Sequence, residues 1–528
     1  MIWSQAFGVK TKPLAIIDHP PSRLYQWVKD PTLEKLRVDS AQERLAVAIQ
    51  NPEYMMKHWV ELPTSPDPKS TKTHFLSLRE AILLALRYNP NIQNAELDRI
   101  TQRYQLRLAY NEFELQYALG GTALIERNRY SNIGTSTNQA AFVAPEMKYK
   151  SKYGGTAALK MDNNVASEGN YNPLLNLTLT QPLLRGFGRS INETGLKDSI
   201  DADWLNRLNL QQNVIDQVTQ VISIYRALII SGHNLKNQQR QLSEAKKTFD
   251  VNKKKIAAGQ LEPTGNIQQS YQIESLSLMV EQAENEFRTT SQDLLQAIGL
   301  APEMKLAVPS NVEIDKLYIP KTDESIELGL KNNTQYLALK MAYKADKRAY
   351  EVAKNEQLWQ LDATLNAQTG LMNNVDNTSN APNRIYNGRS LTESAGITLT
   401  IPINDLSRKN KVISAKVKLE KDRINLLAAK RALITSIKNT ITTIESQAKR
   451  FELAKRQVKL AEESYNLEKK KRSAGIASSL DVNNTQNQLL QAQMGLINAK
   501  IAYLNQLSSL QKMLGTTLKQ WDIQLRYC

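Results

Sequence analysis

The chain is poor in cysteine and aromatic residues, and it has no long uninterrupted apolar run. Its single cysteine, Cys528, is the last residue, which excludes an intramolecular disulfide framework and a cysteine-based metal site. Aromatic residues make up 6% and apolar residues 41% of the 528 positions, which suits thin, elongated helical packing better than a large globular core. Because no apolar stretch reaches the roughly 18 residues of a membrane helix, the sequence predicts that any bilayer-spanning part consists of strands.

The sequence also lacks the residue patterns of an enzyme. The four histidines are scattered and have neither HExxH nor another metal-ligand spacing; they are His19, His58, His74 and His233. The segment Gly186–Ile191 contains a GxG but lacks the third glycine of a dinucleotide loop, and no phosphate loop of the GxxxxGK type is present. We therefore predict no catalysis, no cofactor and no metal, and we expect any driving energy to come from a partner.

Proline is missing from two long stretches. There is none between Phe187 and Ala258, and none from Ile403 to Cys528. The first stretch predicts a helix from about Asn192 to Ala258, on the order of 100 Å long at 1.5 Å per residue. Helices of this length exceed those of ordinary globular proteins, so we expect them to pack side by side as a coiled coil.

The chain contains an internal duplication. The segment Phe249–Gly265 reappears as Tyr465–Asp481, and the match continues without a gap to Gly299 and Gly515. Each copy therefore has a glycine turn, a stretch of helix-like sequence and a second glycine. The two return helices have the same alternating steps of three and four, which place one stripe of residues towards a partner helix. The stripe in the first copy is Ile273, Leu276, Val280, Ala283, Phe287, Thr290, Leu294 and Ala297, and in the second it is Leu489, Ala492, Leu496, Ala499, Tyr503, Gln506, Leu510 and Met513.

The upstream parts of the two copies also match, more faintly. Glu80–Asp98 corresponds to Glu324–Ala342, and Leu175–Arg189 resembles Ala395–Lys409. Each copy thus reads as a short amphipathic helix, an extended region, a long helix, a tight glycine turn and a return helix. We predict an N-terminal extension over residues 1–72, a first repeat over 73–320 and a second repeat over 321–528.

The extended regions alternate between apolar and polar residues. In the first repeat they are Tyr117–Tyr130, Tyr153–Asp162 and Leu175–Gln181, and in the second they are Leu361–Gly370 and Ser394–Ile401. Polar loops are predicted at Ser131–Ala140 and Met372–Arg389. This pattern is typical of membrane β-barrel hairpins, but a small soluble sheet has the same alternation, and patterning alone leaves both open.

These segments together resemble the TolC-type outer-membrane efflux proteins. The resemblance is carried by SLREAILLALRYNPNIQNAE, by LTLTQPLLRGFG, by the two AG turns and by the closing Leu510–Thr516, in order from Phe75 to Trp521. It implies a mainly α protein with β, in which duplicated helical hairpins form an α-barrel coiled coil. It further implies a homotrimer with four strands per protomer in one twelve-stranded membrane β-barrel. Since the first repeat offers three strand candidates where two are needed, part of Ala141–Asp162 is expected to extend the hairpin outside the membrane.

The resemblance also implies partners and a location. Such channels lie in the outer membrane of Gram-negative bacteria and pair with a periplasmic adaptor (membrane fusion) protein and an inner-membrane pump. They export drugs, toxins or proteins, as in multidrug efflux and type I secretion, and bind lipid bilayer but no nucleic acid. The alternative is a soluble coiled-coil scaffold or a basic nucleic-acid-binding protein. A net charge of +16, and a segment Met1–Pro21 whose apolar run is too short for a signal peptide, favour that alternative.

The site residues are assigned by the same resemblance. Gly259 and Gly475 are expected at the periplasmic tips, where the adaptor docks and the helices open. Family members carry two acidic residues three apart after the second turn, and the matching positions here are Asp481 and Asn484, which leaves a weaker acidic ring at the entrance. Gly265 occupies the corresponding place in the first repeat, so no second ring is expected.

Two further groups complete the assignment. Basic residues flank both tip turns and are interpreted mostly as solvated surface, with some pairing to neighbouring helices or to an acidic adaptor; they are Lys253, Lys254, Lys255, Lys469, Lys470, Lys471 and Arg472. Residues at the ends of the strands predict a flexible joint between barrel and tunnel; they are Pro182, Gly186, Gly188 and Pro402.

Overall fold

The structure is a computed structural model that describes residues 44, 47–57, 74–130, 134–166, 174–259, 265–307, 309, 317–370 and 391–525. Its helices are α1 Tyr54–Lys57, α2 Leu78–Tyr88, α3 Pro90–Asn111, α4 Arg189–Asn192, α5 Thr194–Ala257, α6 Gly265–Ile298, α7 Thr322–Asn332, α8 Thr334–Glu356, α9 Leu406–Ser473, α10 Ser479–Met513 and α11 Thr517–Gln520. Its strands are β1 His74–Phe75, β2 Gln116–Tyr130, β3 Gly134–Lys150, β4 Thr156–Ala166, β5 Leu174–Pro182, β6 Leu306–Ala307, β7 Gln360–Gly370 and β8 Leu391–Thr400.

The two long helices are confirmed. Helix α5 has 64 residues and α9 has 68, and at 1.5 Å per residue each is about 100 Å long. Each is followed by a glycine turn and a return helix of about half its length, α6 with 34 residues and α10 with 35. The duplicated helical hairpins predicted from the sequence are therefore present.

The stripes predicted on the return helices are also confirmed. No residue of either stripe is exposed, and Ala283, Leu294, Tyr503 and Leu510 are almost fully buried. The burial follows the steps of three and four because a stripe with this spacing stays on one side of a helix packed lengthwise against a neighbour.

Part of α5 is long and apolar enough to cross a membrane by length and composition alone, but more than half of that segment is buried inside the protein. Its buried residues include Val218, Val221 and Ile222, which are at most 1% exposed. They belong to two core clusters that α5 shares with α2 and, in one of them, with α6. The segment is therefore a core helix, and its apolar character is explained by packing against protein.

The chain divides into two compact units. One unit comprises Met1–Thr101, Asn206–Leu337 and Ala429–Cys528, and the other comprises Gln102–Leu205 and Ala338–Ala428. The first unit contains the three largest apolar clusters, including one in which Ile437, Ile441 and Ile444 of α9 pack against α10. Both units take residues from both repeats, so the repeat boundaries at 73–320 and 321–528 stay predictions. The predicted extension over 1–72 lies mostly outside the described residues.

The second unit contains one antiparallel sheet of six strands, in the order β2-β3-β4-β5-β7-β8. Strands β2, β4, β5, β7 and β8 agree closely with the five extended regions predicted. The loop predicted at Ser131–Ala140 is wrong from Gly134 onwards, because Gly134–Lys150 forms β3 and pairs with β2. The expectation that part of Ala141–Asp162 extends the hairpin outside the membrane stays a prediction. The sheet thus has six strands instead of the four per protomer that the resemblance implies.

Strand β3 was not predicted because its own sequence does not have the pattern of a paired strand. Pro145 lies in its middle, and proline argues against a strand that is paired on both sides because it has no N–H to donate. The pairing between β3 and β4 is interrupted there: it runs from Ala140 to Val143 and resumes at Glu146. The loop predicted at Met372–Arg389 lies outside the described residues.

Candidate functional site

The six-stranded sheet has one apolar and one polar face. The register places Leu119, Pro145 and Val143 on the same face as Leu159, Leu177 and Leu179. The face continues across the second repeat with Leu361, Ala363, Leu365, Ala395, Ile397 and Leu399. Because successive side chains of a strand point to opposite sides, one surface of the sheet carries mostly Leu, Ile, Val, Ala and aromatic residues, with polar positions at Arg127, Thr369 and Glu393.

The apolar face is exposed. Tyr117, Leu119, Ile125 and Ile397 are each more than 70% accessible, and Leu365, Leu391 and Leu399 are more than half accessible. A soluble antiparallel sheet packs its apolar face on a core and turns the polar face to water. Exposed apolar surface on this scale marks a site of contact with another protein or with a membrane.

The opposite face is polar. The register across β4, β5 and β7 aligns Ala158 with Thr178 and Asn366, and Thr156 with Thr180 and Thr364. Lys148 and Glu146 form an ion pair of 2.9 Å on this face, and Lys160 pairs with Asp162 at 2.7 Å. An apolar outer face with a polar inner face is the arrangement of a membrane β-barrel around a water-filled channel.

Aromatic residues collect at one end of the sheet. Tyr117 is the second residue of β2, Tyr149 is the last but one of β3, and Tyr153 lies in the turn that follows. Phe187 follows β5, and Trp359 precedes β7 at the same end. All five are more than 40% exposed. Tyr and Trp are enriched where a barrel or helix crosses the membrane–water interface, so this girdle marks one boundary of the candidate membrane face.

The predicted joint is a hydrogen-bonded corner. Gly186 donates its N–H to Asn355 Oδ1 at 2.7 Å, and its carbonyl accepts from Asn192 Nδ2 at 2.8 Å. Asn192 Nδ2 also donates to Gly188 O at 3.0 Å, and both glycines have positive φ, 82° and 107°. Pro182 pairs in register with Asp362 at the end of β5. These hydrogen bonds join both glycines to neighbouring side chains, and the predicted flexibility of the joint stays a prediction.

The second joint residue, Pro402, follows β8 and is half-buried. Two residues later Asn404 adopts a positive φ of 57°, which asparagine tolerates better than most residues. Asp405 then accepts from Arg408 N at 3.2 Å and pairs with Arg408 Nε at 2.9 Å as α9 begins. The side chain of Asp405 therefore caps the start of α9.

The two tip turns each contain a glycine with positive φ. Gly259 has φ 71° and Gly475 has φ 76°, the left-handed conformation that ends many helices. Their N–H groups donate to Ile256 O and Arg472 O, both at 3.0 Å. No heavy atom lies within 4 Å of a Cβ placed on either glycine. Glycine is needed at the tips for backbone conformation and not for space.

Asp481 caps the helix that leaves the second tip. Its N–H donates to Ser478 Oγ at 3.2 Å, and its Oδ2 accepts from Ser478 N at 2.9 Å, which forms a capping box at the start of α10. The side chain and backbone of Ser478 hydrogen-bond the carboxylate and lower the pKa of Asp481 below its ordinary value, and Lys471 adds to the effect. Asn484 lies one turn further on and is exposed, and Gly265 is the first residue of α6.

The basic residues beside the tips are all exposed. Lys471 forms an ion pair of 3.2 Å with Glu468, three residues away on α9. An exposed pair of this kind contributes between about 0 and 1 kcal/mol. In the single chain these residues lie on the helix surface, and their contacts with neighbouring helices or an adaptor stay predictions.

The sequence did not predict an ion pair that joins helices α5 and α8. Arg348 of α8 contacts two carboxylates of α5, Asp198 and Asp201, each at 2.6 Å. The two aspartates are three residues apart and so lie on one face of the helix. That spacing was visible in the sequence, but their partner 147 residues away was not. Among the described residues no group of three or more His, Cys, Asp or Glu could hold a metal ion.

Comparisons with known proteins give one family model over part of the chain and several solved structures of similar fold. The family model described as outer membrane efflux protein matches residues 326–516. No curated protein matches the chain at a significant level. The fold is similar to the outer membrane protein VceC of Vibrio cholerae, with a TM-score of 0.61 at 14% identity over 83% of this chain and 96% of that one.

Two further solved channels have the same fold. The CmeC outer membrane channel of Campylobacter jejuni has a TM-score of 0.63 at 14% identity, over 87% of this chain and 94% of that one. The open state of the MtrE outer membrane channel of Neisseria gonorrhoeae has a TM-score of 0.62 at 15% identity, over 87% of this chain and 98% of that one.

Proposed function

We propose that this protein is an outer-membrane efflux channel, because the outer membrane efflux protein model matches residues 326–516 and 83–87% of the chain shares the fold of solved outer-membrane channels. The six-stranded sheet is its membrane part, and the long helical hairpins are its periplasmic part. It provides a passive exit duct and carries out no chemistry on its cargo. The cargo is drugs or polypeptides, and the duct serves a tripartite efflux or type I secretion system.

The observation that carries the proposal is the exposed apolar face of the sheet. Its side chains include Leu119, Ile125, Ile397 and Leu399, and burial of such surface is strongly favourable only where another apolar phase is available. Of the six strands that bear this face, β4, β5, β7 and β8 have 9 to 11 residues each, and β2 and β3 have 15 and 17. A tilted strand of about 9–11 residues spans the hydrocarbon core of a bilayer.

One chain does not form a complete channel, so we infer that it acts with further copies, an adaptor and a pump. Six strands form an open sheet, and a bilayer does not tolerate open sheet edges, so several copies are required, of which three are implied by the resemblance. The tip turns at Gly259 and Gly475, with their exposed basic flanks, are the proposed docking site for a periplasmic adaptor. Since no phosphate loop is present in the sequence, an inner-membrane pump supplies the energy.

The alternative function is a soluble scaffold or a nucleic-acid-binding protein. The charge of +16 favours it, because a basic surface attracts phosphates. A soluble role would leave the apolar face of the sheet in water. The membrane function accounts for that face, for the polar face behind it and for the aromatic girdle.

The test is reconstitution of the full chain. The protein is purified in detergent, and its migration is compared with and without heating, since folded membrane barrels resist denaturation until heated. It is then inserted into planar lipid bilayers. We expect a heat-modifiable oligomer that conducts ions in discrete steps. A chain that stays soluble without detergent and gives no conductance would overturn the proposal, and binding of DNA or RNA by that soluble form would favour the alternative.

A further inference from the structure

The six-stranded sheet has two free edges. Strand β2 pairs only with β3, and β8 pairs only with β7, among the strands that the structure describes. The outer edge of β2 is 15 residues long and that of β8 is 10 residues long. In lipid the N–H and C=O groups along both edges need hydrogen-bond partners, because no water is available to them.

The two edges fit each other between copies. All pairings in the sheet are antiparallel and the number of strands is even, so β2 and β8 run in opposite directions. If β2 of one copy lies beside β8 of the next, the new pairing is also antiparallel. This contact is head to tail, and repeated contacts of this kind form a ring when the rotation from copy to copy closes.

The β2–β3 hairpin belongs to the membrane part of the sheet. The pairing of β2 with β3 is continuous from Gln116 to Tyr130, and β3 continues into β4 through Met147 opposite Leu159. The apolar face extends onto this hairpin at Tyr117, Leu119 and Val143, while Arg127 and Arg129 lie on the same face towards the far end of β2. A hairpin outside the membrane would have no need to continue the apolar face of its neighbours.

From these observations, and resting on the trimeric channel proposed above, we propose that three copies close a barrel of eighteen strands, six from each, with β2 of one copy joined to β8 of the next. The resemblance alone implied twelve strands. Because the diameter of a barrel grows roughly in proportion to its strand number, this barrel is about one and a half times as wide. Barrels of about this strand number leave an aqueous channel.

The test is disulfide cross-linking at the two possible seams, in a Cys528→Ser background. The first set combines Ala118→Cys in β2 with Gly396→Cys, Thr398→Cys or Thr400→Cys in β8, one at a time. The second set combines Ala158→Cys in β4 with the same three positions. All of these residues lie on the polar face, so the two sets differ only in the strand tested.

We expect oxidation of at least one pair in the first set to give a ladder of covalent species that ends at three copies, with no ladder from the second set. A ladder from the second set places β4 at the seam, with the β2–β3 hairpin outside a twelve-stranded barrel, and overturns the inference. If the ladder from the first set ends at two copies, the barrel has twelve strands from a dimer. That result also overturns the inference of eighteen strands.

The remaining outcomes separate this inference from the proposed function. A channel that conducts but forms no cross-link in either set overturns the seam and leaves the channel function intact. A chain that forms no pore and no oligomer overturns the channel function, and the eighteen-stranded barrel with it.

Discussion

Asn89 donates a hydrogen bond from Nδ2 to the carbonyl of Ala297 at 2.7 Å, and the duplicated residue Asn333 donates the equivalent bond to Met513 at 3.1 Å. Each asparagine also caps the helix that follows it, since Asn89 Oδ1 accepts from Asn91 N at 2.9 Å and Asn333 Oδ1 accepts from Tyr336 N at 3.0 Å. One side chain in each repeat therefore joins a helix corner to the end of the return helix, and the duplication has kept both.

Replacement of these asparagines should destabilise the protein. Asn89 is 2% exposed, so Asn89→Ala leaves a buried carbonyl at Ala297 without its donor and removes a helix cap. We expect a loss of about 1–3 kcal/mol in the free energy of unfolding, with a smaller loss for Asn333→Ala because Asn333 is only half-buried. Denaturant titration in detergent measures both. Asn91→Ala is the control, since its side chain is exposed and should change stability by less than about 0.5 kcal/mol; equal losses for Asn89 and Asn91 would contradict the interpretation.

The glycines that end the return helices should differ in their tolerance of alanine. Gly299 and Gly515 both have positive φ, but a Cβ on Gly299 would lie 2.1 Å from Tyr88 O, whereas on Gly515 the nearest atom is Asn332 Cβ at 3.2 Å. A Cβ on Gly475 has no heavy atom within 4 Å, so Gly475→Ala has only the conformational cost of about 1–2 kcal/mol. The destabilisation should decrease in the order Gly299→Ala, Gly515→Ala, Gly475→Ala. Thermal unfolding of the three variants tests the order, and equal melting temperatures would refute it.

The helical part of the fold could be predicted from the sequence because its signals are local and repeated. Long proline-free stretches, glycines at the reversals and the same stripe of buried residues in both copies indicate the hairpins independently. The capping box of Ser478 and Asp481 was also visible as a serine followed three residues later by an acid.

The sheet was only partly predictable, because strand pairing is a relation between distant segments. Strand β3 contains Pro145 and a polar start, so its own sequence predicts a loop, and only pairing with β2 and β4 shows it as a strand. The contacts of Arg348 with Asp198 and Asp201 were missed for the same reason. The proposed gate, docking tips and trimer depend on other copies or other proteins, so the structure of one chain does not test them.

The two faces of β5 provide a direct test of membrane exposure. Leu177 lies on the apolar face and its neighbour Thr178 on the polar face. We expect Leu177→Arg to destabilise the inserted barrel by about 2–4 kcal/mol if it lies near the bilayer midplane, while Thr178→Arg leaves folding largely unchanged. The readout is the fraction of heat-modifiable oligomer after reconstitution into vesicles. If both variants fold equally well, the apolar face does not contact lipid.

The tip turns should tolerate substitutions according to backbone conformation. Proline fixes φ near −65°, so Gly259→Pro and Gly475→Pro cannot adopt the observed 71° and 76°. We expect both variants to assemble and to insert but to lose export with the cognate adaptor. The control is Gly475→Asn, because asparagine enters the left-handed region more readily than other residues with a side chain; it should retain export. Unchanged export by both proline variants would argue against a docking role for the tips.

Asp481 has a structural role that accounts for its position without a gate. Hydrogen bonds from the side chain and backbone of Ser478 lower its pKa. The contribution of the capping box to stability is therefore present at neutral pH, above the unfolded-state pKa of about 3.9, and is lost as the pH falls through the lower folded-state value. Asp481→Ala should accordingly lower the melting temperature at pH 7 and change it less in strong acid. A difference that is independent of pH would contradict this account.

A substitution at Asn484 tests the proposed gate without disturbing the helix cap. Asn484 is exposed, lies one turn further along α10 and does not belong to the capping box. In a trimer, Asn484→Asp adds three carboxylates near the three of Asp481, which should raise the local concentration of cations and strengthen binding of multivalent cations through oxygen ligands. Single-channel recordings should show greater cation preference and stronger block by trivalent cations applied from the tip side, with no loss of thermal stability. Asn484→Gln is the neutral control. A contrary result is that Asn484→Asp leaves selectivity and block unchanged, while Asp481→Ala lowers thermal stability without changing either of them. Asp481 then acts only in the helix cap, and the entrance gate lies elsewhere.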